Sequence, residues 1–255
     1  MIDDFDDILP EFYWIYKNYL IIRPEFNDSF ETLNIPQTIK YSHIVFSNFK
    51  NYKDAIFSIM NRSDIYNNEY ESNFNKSIDN LPSFITYLEF GSYFNQFVDN
   101  LPYSLIYLIF VYSFNQLVNN LPSSIIHLKF GDTFNQLVNN LPSFITHLEF
   151  GHDFNQLVDN LPSSLKYLKF DYKFNQLVDN LPSSLLNLTF GYMFKQRLNN
   201  LPNSITHIDL SKSYKYNKNI NKLPNFVEKL SLNNNYKNMI IDIPENMLII
   251  WKIIV

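Results

Sequence analysis

Hydrophobic and polar residues follow one fixed order from Leu81 to Asn200, where a 20-residue unit recurs six times without an insertion. We number the unit in columns 1 to 20 from the leucine of its Leu-Pro dipeptide, so that the unit beginning at Leu161 reads LPSSLKYLKFDYKFNQLVDN. Columns 5, 8, 10, 14 and 18 are apolar in unit after unit. A fixed period of this length is typical of a solenoid, in which each unit buries its apolar face against its neighbours.

Columns 7 to 10 predict one short β-strand in each unit. Column 8 is leucine and column 10 is phenylalanine, whereas columns 7 and 9 vary, which is the period-two pattern of a half-buried strand. We expect these strands to pair in parallel, about 4.8 Å apart. The proline of each Leu-Pro disfavours helix on the return path, where extended or short 3₁₀ segments are expected. The sequence therefore predicts a mainly β solenoid.

A turn is expected at column 11, which holds all four glycines of the chain: Gly91, Gly131, Gly151 and Gly191. Glycine permits a positive φ, which Asp171 tolerates and Val111 does not. Either column 11 is not left-handed in every unit, or the unit containing Val111 is strained.

Columns 14 and 15 predict two structural ladders. We expect the phenylalanines to stack into a continuous core, and the asparagines to form a buried ladder whose amides satisfy backbone groups in the turns. The phenylalanine ladder is Phe94, Phe114, Phe134, Phe154 and Phe174. The asparagine ladder is Asn95, Asn115, Asn135, Asn155 and Asn175.

Columns 7 and 9 form the candidate binding surface, on the sheet face that we expect to be concave. The residues of column 7 are Tyr87, Tyr107, His127, His147, Tyr167, Asn187 and His207. Beside them, column 9 contributes the charged residues Lys129, Glu149 and Lys169. Tyrosine and histidine give large contact areas with polar tips, as protein-binding faces do. Two alternatives stay open: a self-contained surface ladder of stacked rings and alternating charges, and a carbohydrate-binding solenoid that uses the tyrosines as stacking platforms.

Composition excludes several kinds of chemistry. The chain has no cysteine, and its net charge of −5 comes from 20 basic and 25 acidic residues mixed along the sequence, so we expect no thiol chemistry and no nucleic-acid partner. His127 and His147 should be neighbours, but no third ligand joins them, and no metal site is predicted. The serines lie mainly in Pro-Ser-Ser turns, away from the histidines, and there is no glycine-rich phosphate loop. We therefore predict neither an enzyme nor a cofactor.

The N-terminus, MIDDFDDILPEF, is acidic where a secretory signal would be basic, and no apolar run approaches the ~20 residues that span a bilayer. We expect an intracellular protein of the cytoplasm, or of the host cytoplasm if the chain is viral, with no membrane partner.

The repeated unit Phe-Asn-Gln-x-x-x-Asn-Leu-Pro-Ser-Ser-Leu-x-x-Leu-x-Phe-Gly resembles the FNIP repeat, a relative of the leucine-rich repeat found in social amoebae and in giant DNA viruses of amoebae. The resemblance is close over residues 74–200 and loose over 201–250. It departs where a proline often follows Phe-Asn-Gln, because this chain has Leu117, Leu137, Leu157 and Leu177 there. The resemblance implies a curved solenoid for protein recognition, with no catalytic residues to carry over.

Three segments are predicted: a cap or degenerate region over residues 1–70, helical or mixed; a solenoid over 71–242, about eight turns in all; and an edge strand or cap over 243–255. Ile35 to Tyr41 reads like a decayed repeat. The apolar strand in residues 247–255 is a candidate for self-association, because an uncovered strand edge invites pairing.

We predict a non-catalytic scaffold for protein–protein interaction, with an unknown protein partner. Some members of the family that the chain resembles carry an F-box before their repeats, and Ile8 to Glu11 followed by Trp14 resembles an F-box opening. The resulting alternative is a substrate adaptor of a ubiquitin ligase, which requires an F-box-like helical bundle within residues 1–60.

Overall fold

A computed structural model describes residues 12–50, 52–61, 72–218, 220, 223–236 and 247–252. One sheet of 12 strands contains every described strand, in the order of the chain. The strands are β1 (Tyr13–Tyr16), β2 (Tyr19–Ile22), β3 (His43–Phe46), β4 (Tyr87–Phe90), β5 (Tyr107–Phe110), β6 (His127–Lys129), β7 (His147–Glu149), β8 (Tyr167–Lys169), β9 (Asn187–Thr189), β10 (His207–Leu210), β11 (Lys229–Asn233) and β12 (Leu248–Lys252). The described helix α1 spans Tyr52–Asn61, and short 3₁₀ segments cover Phe30–Leu33 and Asn234–Tyr236.

The predicted fold, a leucine-rich-repeat-like β solenoid with one strand per turn, is confirmed. β1 and β2 form an antiparallel hairpin, and every later pair of neighbours is parallel. Equivalent columns face each other across the array, as Leu88 faces Leu108. The solenoid has about ten turns rather than the eight expected, because strands also form outside the region of regular period.

The core is built from two stacked phenylalanine columns. Within a turn, the rings of columns 10 and 14 stack closely, as Phe130 does on Phe134 with 3.8 Å between centroids. Between turns, Phe134 lies 6.1 Å from the equivalent Phe154, while Phe130 lies 5.6 Å from Phe150. The spacing is therefore wider at column 14 than at the strands, and the sheet lies on the inner side of the curve. All five ladder phenylalanines are at most 1% exposed.

The asparagine column forms a hydrogen-bonded ladder at the surface. The backbone N–H of Asn155 donates to Asn135 Oδ1 (2.9 Å), and the Nε2 of Gln156 donates to the same oxygen (3.1 Å). The same backbone bond recurs from Asn75 to Asn175. These asparagines are half-buried or exposed, and not buried as expected. The reason is that these hydrogen bonds lie in the outer turns. The glutamine side chains of column 16 cover them there, so the core does not.

Column 11 is not left-handed, because no described glycine has a positive φ. A positive φ is therefore not the reason for glycine at column 11. Val111 is not forced into a left-handed conformation, so its unit is not strained in this way. Glycine is favoured by close approach between turns. A Cβ built on Gly151 would overlap the carbonyl of Gly131 in the preceding turn, and one built on Gly131 would overlap that of Val111.

The sheet continues into the N-terminal region without a break. β3 pairs in register with β4, and β2 with β3. The ladders continue as well: Phe26 stacks on Phe74 at 5.9 Å, and the N–H of Asn75 donates to Asn27 Oδ1 (3.1 Å). The boundary predicted at residue 70 thus does not coincide with an edge of the sheet.

Two insertions hide this continuity in the sequence. Phe46 and Phe74 occupy columns 10 and 14, but the segment between them is a long insertion that includes α1. In a regular unit, only three residues separate these two columns. The decayed repeat at Ile35–Tyr41 keeps the N–H···O bond from column 5 to column 2, from Ile39 to Pro36 (3.0 Å), but enters its strand two residues late.

The described residues 12–50 and 52–61 form three strands, one α-helix and one short 3₁₀ segment, and not the helical bundle that the ubiquitin-ligase alternative requires. The Ile8–Glu11 segment lies outside the described residues. Within the described part of the chain, no helix is long and apolar enough to cross a membrane.

At the far end, β12 pairs in parallel with β11, and Lys252 Nζ reaches Asp209 Oδ2 at 2.9 Å. Residues 243–246 and 253–255 lie outside the described residues. Self-association through residues 247–255 stays a prediction.

Candidate functional site

The candidate surface is the open face of the sheet, which we define as the side chains of columns 7 and 9 on β4 to β10. The strand pleat points columns 8 and 10 into the core, so columns 7 and 9 project from the opposite side. Burial alternates accordingly: Leu128 is 2% exposed, while His127 and Lys129 on either side of it are half-buried. The face is therefore fixed by the same pattern that builds the core.

The aromatic side chains of column 7 stack on one another along the array. Tyr107 and His127 lie nearly parallel, with 4.2 Å between ring centroids and an 8° interplanar angle. His127 and His147 follow at 4.3 Å, and His147 and Tyr167 at 5.7 Å. Tyr87 is tilted against Tyr107 at 5.8 Å. This run of rings, from Tyr87 to Tyr167, is held in place before any ligand arrives.

The two remaining members of column 7 follow on the next strands. Asn187 on β9 pairs in register with Tyr167 and with His207 on β10, and all three are half-buried. Asn187 has no ring, so the aromatic run is interrupted at β9.

Column 9 adds charged side chains that pair across strands. Lys169 Nζ lies 3.1 Å from Glu149 Oε2, and the Tyr87 hydroxyl donates to Glu89 Oε2 (2.6 Å). Burial disfavours the charged form of Lys169, but the Glu149 carboxylate outweighs it and raises the pKa of the ammonium. Lys129 faces Glu149 in register on the adjacent strand. The charges of this column thus alternate over β6, β7 and β8.

Three rings of the same stripe lie beyond the regular array, and the sequence analysis missed them. Tyr19 on β2 stacks against His43 on β3 at 4.5 Å, and His43 against Tyr87 at 5.3 Å. Tyr16 lies on β1, opposite Tyr19. Their separation from Tyr87 is not a multiple of 20, so the period could not reveal them. The Phe26-Asn27 pair matches columns 14 and 15. Counting back from this pair places Tyr19 in column 7, so the pair was the signal that could have revealed this turn.

Helix α1 covers the N-terminal end of this face. Its Ala55 is buried with Trp14 of β1 and Ile21 of β2, and Ile56 and Ile59 pack against the same cluster. Ile21 occupies column 9 of its strand, so α1 lies on the side of the sheet that carries the column 7 stripe. The open face therefore begins after α1.

The arrangement of the rings argues against metal and carbohydrate binding. Ring nitrogens of two imidazoles stacked face to face do not converge on one point, and His147 Nδ1 already contacts Thr146 Oγ1 at 2.8 Å. Among the described residues, no group of three or more metal-ligating side chains exists. A sugar needs a free aromatic face, whereas Tyr107 has a ring on both sides and Tyr167 has His147 on one side.

Burial perturbs two titrating groups in this stripe. The pKa of His147 is lowered below its ordinary value by burial, which Glu149 opposes and Lys166 reinforces. The pKa of Tyr167 is raised, first by burial and then by Glu149. Both shifts favour the neutral side chain, so the stripe presents uncharged polar tips between the charges of column 9.

Comparison with known proteins agrees with the geometry. The FNIP Repeat family matches residues 74–113, 114–139, 137–173, 154–193 and 174–213. The chain is also similar to a solved structure of a giant-virus protein described as CroV588, a novel circular LRR protein, with 31% sequence identity and a TM-score of 0.69. That likeness covers 95% of this chain but 35% of the other, so this chain spans about a third of its length.

No curated protein matches the chain. The family match extends over more than half of the sequence, and its overlapping segments together cover the consecutive turns that carry β4 to β10. The chain therefore belongs to the FNIP repeat family.

Proposed function

We propose that this chain is a non-catalytic scaffold for protein–protein interaction, and that an unidentified protein partner binds the open face. The observation that carries the proposal is the stacked stripe of Tyr107, His127, His147 and Tyr167, which is held rigid by its own ring contacts. Aromatic side chains in fixed positions lose little conformational freedom on binding, and such residues are enriched in protein interfaces. Leucine-rich-repeat-like solenoids are typically scaffolds of this kind.

The variation between turns supports a binding role over a purely structural ladder. The core columns repeat the same residue in turn after turn, as column 8 does with leucine at Leu88, Leu108 and Leu128. Column 7 instead changes among tyrosine, histidine and asparagine. A structural ladder gains from identical neighbours, whereas recognition of a non-repeating partner requires a different side chain at each step.

The column 9 ion pairs fit this role. The Lys169–Glu149 pair is about one-third exposed on each side, and an exposed pair contributes about 0–1 kcal/mol to stability. Its effect on folding is therefore small. Charges arranged in this way influence partner choice and the rate of association more than affinity. We place this activity in the cytoplasm, or in the host cytoplasm if the chain is viral.

The test is affinity purification of the tagged full chain from amoebal cells, with quantitative mass spectrometry of the co-purified proteins. The binding variant is Tyr107→Asn with His147→Asn, because asparagine already occupies column 7 at Asn187. The matched control is Phe144→Ser, which removes a 66% exposed ring from column 4, where neighbouring turns carry Ser124 and Ser164.

We expect a set of proteins that the wild-type chain and the control retain and that the double variant loses. Circular dichroism checks that all three chains are folded. An unchanged set in the double variant would show that the open face is not the binding surface. Ligase subunits that depend on residues 1–60 would instead support the adaptor alternative.

A further inference from the structure

Column 17 forms an exposed apolar ridge outside the open face. Its apolar members Phe97, Leu117, Leu137, Leu157 and Leu177 are between 51% and 68% exposed. The neighbouring column 18 points inward, as Val138 does at 1% exposure, so column 17 must point to solvent. The core therefore does not require leucine here, and the same column carries Ser77 and Arg197 at its two ends.

We call Phe97, Leu117, Leu137, Leu157 and Leu177 the leucine ridge. The turns are 6.1 to 6.2 Å apart at the nearby column 14, so the five side chains extend over roughly 24 Å. Together they expose on the order of 500 Å² of apolar surface, which is near the largest patch on an ordinary monomer. A patch of this size and regularity is typical of an interaction surface.

One border of the ridge is neutral. In column 16, the Nε2 of Gln136 and that of Gln156 each donate to an asparagine of the preceding turn, Asn115 and Asn135 respectively. These amides are already engaged with each other, so this border contributes little charge to binding.

The other border is acidic in three of the five ridge turns, with Asn119 and Asn139 in the remaining two. Column 19 contains Asp99, Asp159 and Asp179, and each accepts a hydrogen bond from an asparagine of the next turn at 3.1 to 3.3 Å. Within the described part of the chain, none of these three carboxylates lies in an ion pair. Asp99 and Asp159 are thus available to a cationic partner, whereas Asp179 shares a pocket with Arg197 and Lys218.

We propose that the leucine ridge docks an amphipathic α-helix of a partner protein, with its apolar stripe bordered by lysine or arginine. The apolar side chains of such a helix recur about every 5.4 Å along its axis. The mismatch with the 6.1 Å turn spacing is about 0.7 Å per step, or about 3 Å over the four steps of the ridge, which is less than one period. A helix of about 16 residues covers the full 24 Å.

A second copy of the chain fits the ridge less well. Antiparallel packing of two ridges would place Asp99 of one copy opposite Asp179 of the other, where like charges repel. The ridge also provides on the order of 500 Å², whereas a stable dimer buries about 800 Å² per partner. The basic helix, in contrast, is attracted by the acidic border.

The test measures fluorescence anisotropy of an 18-residue labelled peptide with leucines at helical spacing and lysines at the borders of that stripe. Two further peptides serve as controls: one with glutamate in place of lysine, and one with the lysine peptide's residues in scrambled order. The full-length chain is compared with Leu137→Asp combined with Leu157→Asp, and with Asp159→Asn combined with Asp179→Asn. Asparagine is native to column 19 at Asn119 and Asn139, so the second variant removes charge alone. Phe144→Ser is the control for loss of an exposed ring elsewhere.

We expect the lysine peptide to bind at least tenfold more tightly than either control peptide. The Leu→Asp variant should weaken that binding at least tenfold, and the Asp→Asn variant severalfold with a smaller dependence on salt. Phe144→Ser should bind as the wild type does. Circular dichroism and peptide-free light scattering accompany each variant.

Three results would overturn the proposal. The first is no binding of the lysine peptide up to its solubility limit, and the second is equal binding to wild type and to the Leu→Asp variant. The third is a wild-type dimer that the Leu→Asp variant makes monomeric, which would assign the ridge to a second copy. None of these results bears on the open face, because the ridge variants leave columns 7 and 9 unchanged.

Discussion

The regular array from Leu81 to Asn200 and the N-terminal turns before it reach the same contacts by different chain lengths. In the array, the N–H of Asn115 donates to Asn95 Oδ1 at 2.9 Å, over 20 residues of sequence. In the N-terminal turns, the N–H of Asn75 donates to Asn27 Oδ1 at 3.1 Å, over 48 residues. The comparison shows that the register is held by the strand and by columns 14 and 15. The segments between the strand and these two columns accept insertions, because the entropic cost of closing a loop rises only slowly with its length.

The largest expected difference between the two regions is in the phenylalanine ladder. Phe134 has a stacked neighbour in both adjacent turns, Phe114 and Phe154, at 6.1 Å each. Phe134→Ala should lower the free energy of unfolding by about 3–5 kcal/mol. It should also split the array into two weakly coupled halves, because each turn is stabilised mainly by its neighbours.

Phe26→Ala is the matched change near the end of the ladder, where Phe26 stacks on Phe74 at 5.9 Å and contacts Phe12 at 5.7 Å. It should fray the first turns and leave the array intact. Urea unfolding followed by circular dichroism measures the free energies, and amide hydrogen exchange locates the loosened turns. Equal losses of protection across the whole chain in both variants would contradict the comparison.

The second difference is the insertion that carries α1. Deletion of residues 49–72 would join Asn48 to Asn73 and restore the array's spacing between Phe46 and Phe74. We expect the solenoid to fold cooperatively, with a free energy of unfolding lower by about 3 kcal/mol. Trp14 and Ile21 become partly uncovered, and each then loses about 1.5 kcal/mol, the lower end of what a buried side chain contributes.

Tryptophan fluorescence measures this effect when Trp251→Phe is present in both the full and the shortened chain. The emission of Trp14, which is 4% exposed, should shift to the red in the shortened chain. An unshifted emission would mean that α1 is not the cover of the hairpin, and a loss of cooperative unfolding would mean that the insertion is needed for register.

The fold was predictable in the array because each of its signals repeats. The period, the Leu-x-Phe strand and the Phe-Asn pair agree in all five units from Leu81 to Asn180, so an error in one unit is corrected by the next. In the N-terminal turns, Phe26-Asn27 is a single match at an irregular distance, and it was missed. A sequence pattern indicates which residues share a column, but it does not indicate how many residues loop out between two columns.

The site was predictable only in part for a related reason. Alternation places Tyr107 and His127 on the solvent side of the strand, but it cannot tell that their rings stack at 4.2 Å. The cover over Ile21 depends on an insertion elsewhere in the chain, which no strand pattern contains. The pattern suggested that glycine at column 11 serves a positive φ, but glycine is favoured there because the backbone of the preceding turn leaves no space for a Cβ. This is a contact between units, which the sequence of a single unit does not show.

The third difference is at column 11. A Cβ on Gly151 would overlap the backbone of Gly131, which is fixed between two regular turns, so Gly151→Ala should cost about 1–3 kcal/mol. A Cβ on Gly91 would overlap the Cβ of the buried Ser72 and approach the carbonyl of Phe46, so the backbone at Ser72 has to move. Ser72 lies at the end of the α1 insertion and not in a regular turn, so its backbone is less constrained than that of Gly131. Gly91→Ala should therefore cost less. Thermal unfolding of the two variants side by side measures the difference, and a larger loss for Gly91→Ala would contradict it.

The fourth difference is in the asparagine ladder. Asn135 Oδ1 accepts from the N–H of Asn155 and from Gln156 Nε2, whereas at the N-terminal end the residue in the place of that glutamine is Lys76. Since each hydrogen bond contributes about 1 kcal/mol, Asn135→Ala should cost about 2 kcal/mol and Asn27→Ala about 1 kcal/mol. Urea unfolding resolves this difference. Equal costs would show that the glutamine bond contributes nothing measurable.

The smallest difference concerns two column 7 histidines, His43 in the N-terminal turns and His147 in the array. Burial lowers the pKa of both below the ordinary value of 6.5; a hydrogen bond with Asn18 opposes it at His43, and Glu149 opposes it at His147. Well above pH 6.5 both histidines are neutral in the folded and unfolded states, so they contribute no pH dependence there. As the pH falls below 6.5, the unfolded chain takes up protons first, and stability decreases until the folded histidines also titrate.

We therefore expect the melting temperature to fall slightly between about pH 7 and pH 5, and His43→Asn or His147→Asn to reduce the slope. Proton NMR titration of the imidazoles measures each pKa directly. If the N-terminal turns are as firmly packed as the array, both values will lie below 6.5. A value for His43 at or above 6.5, with His147 below it, would show that the N-terminal part of the stripe is open to water although its register is the same.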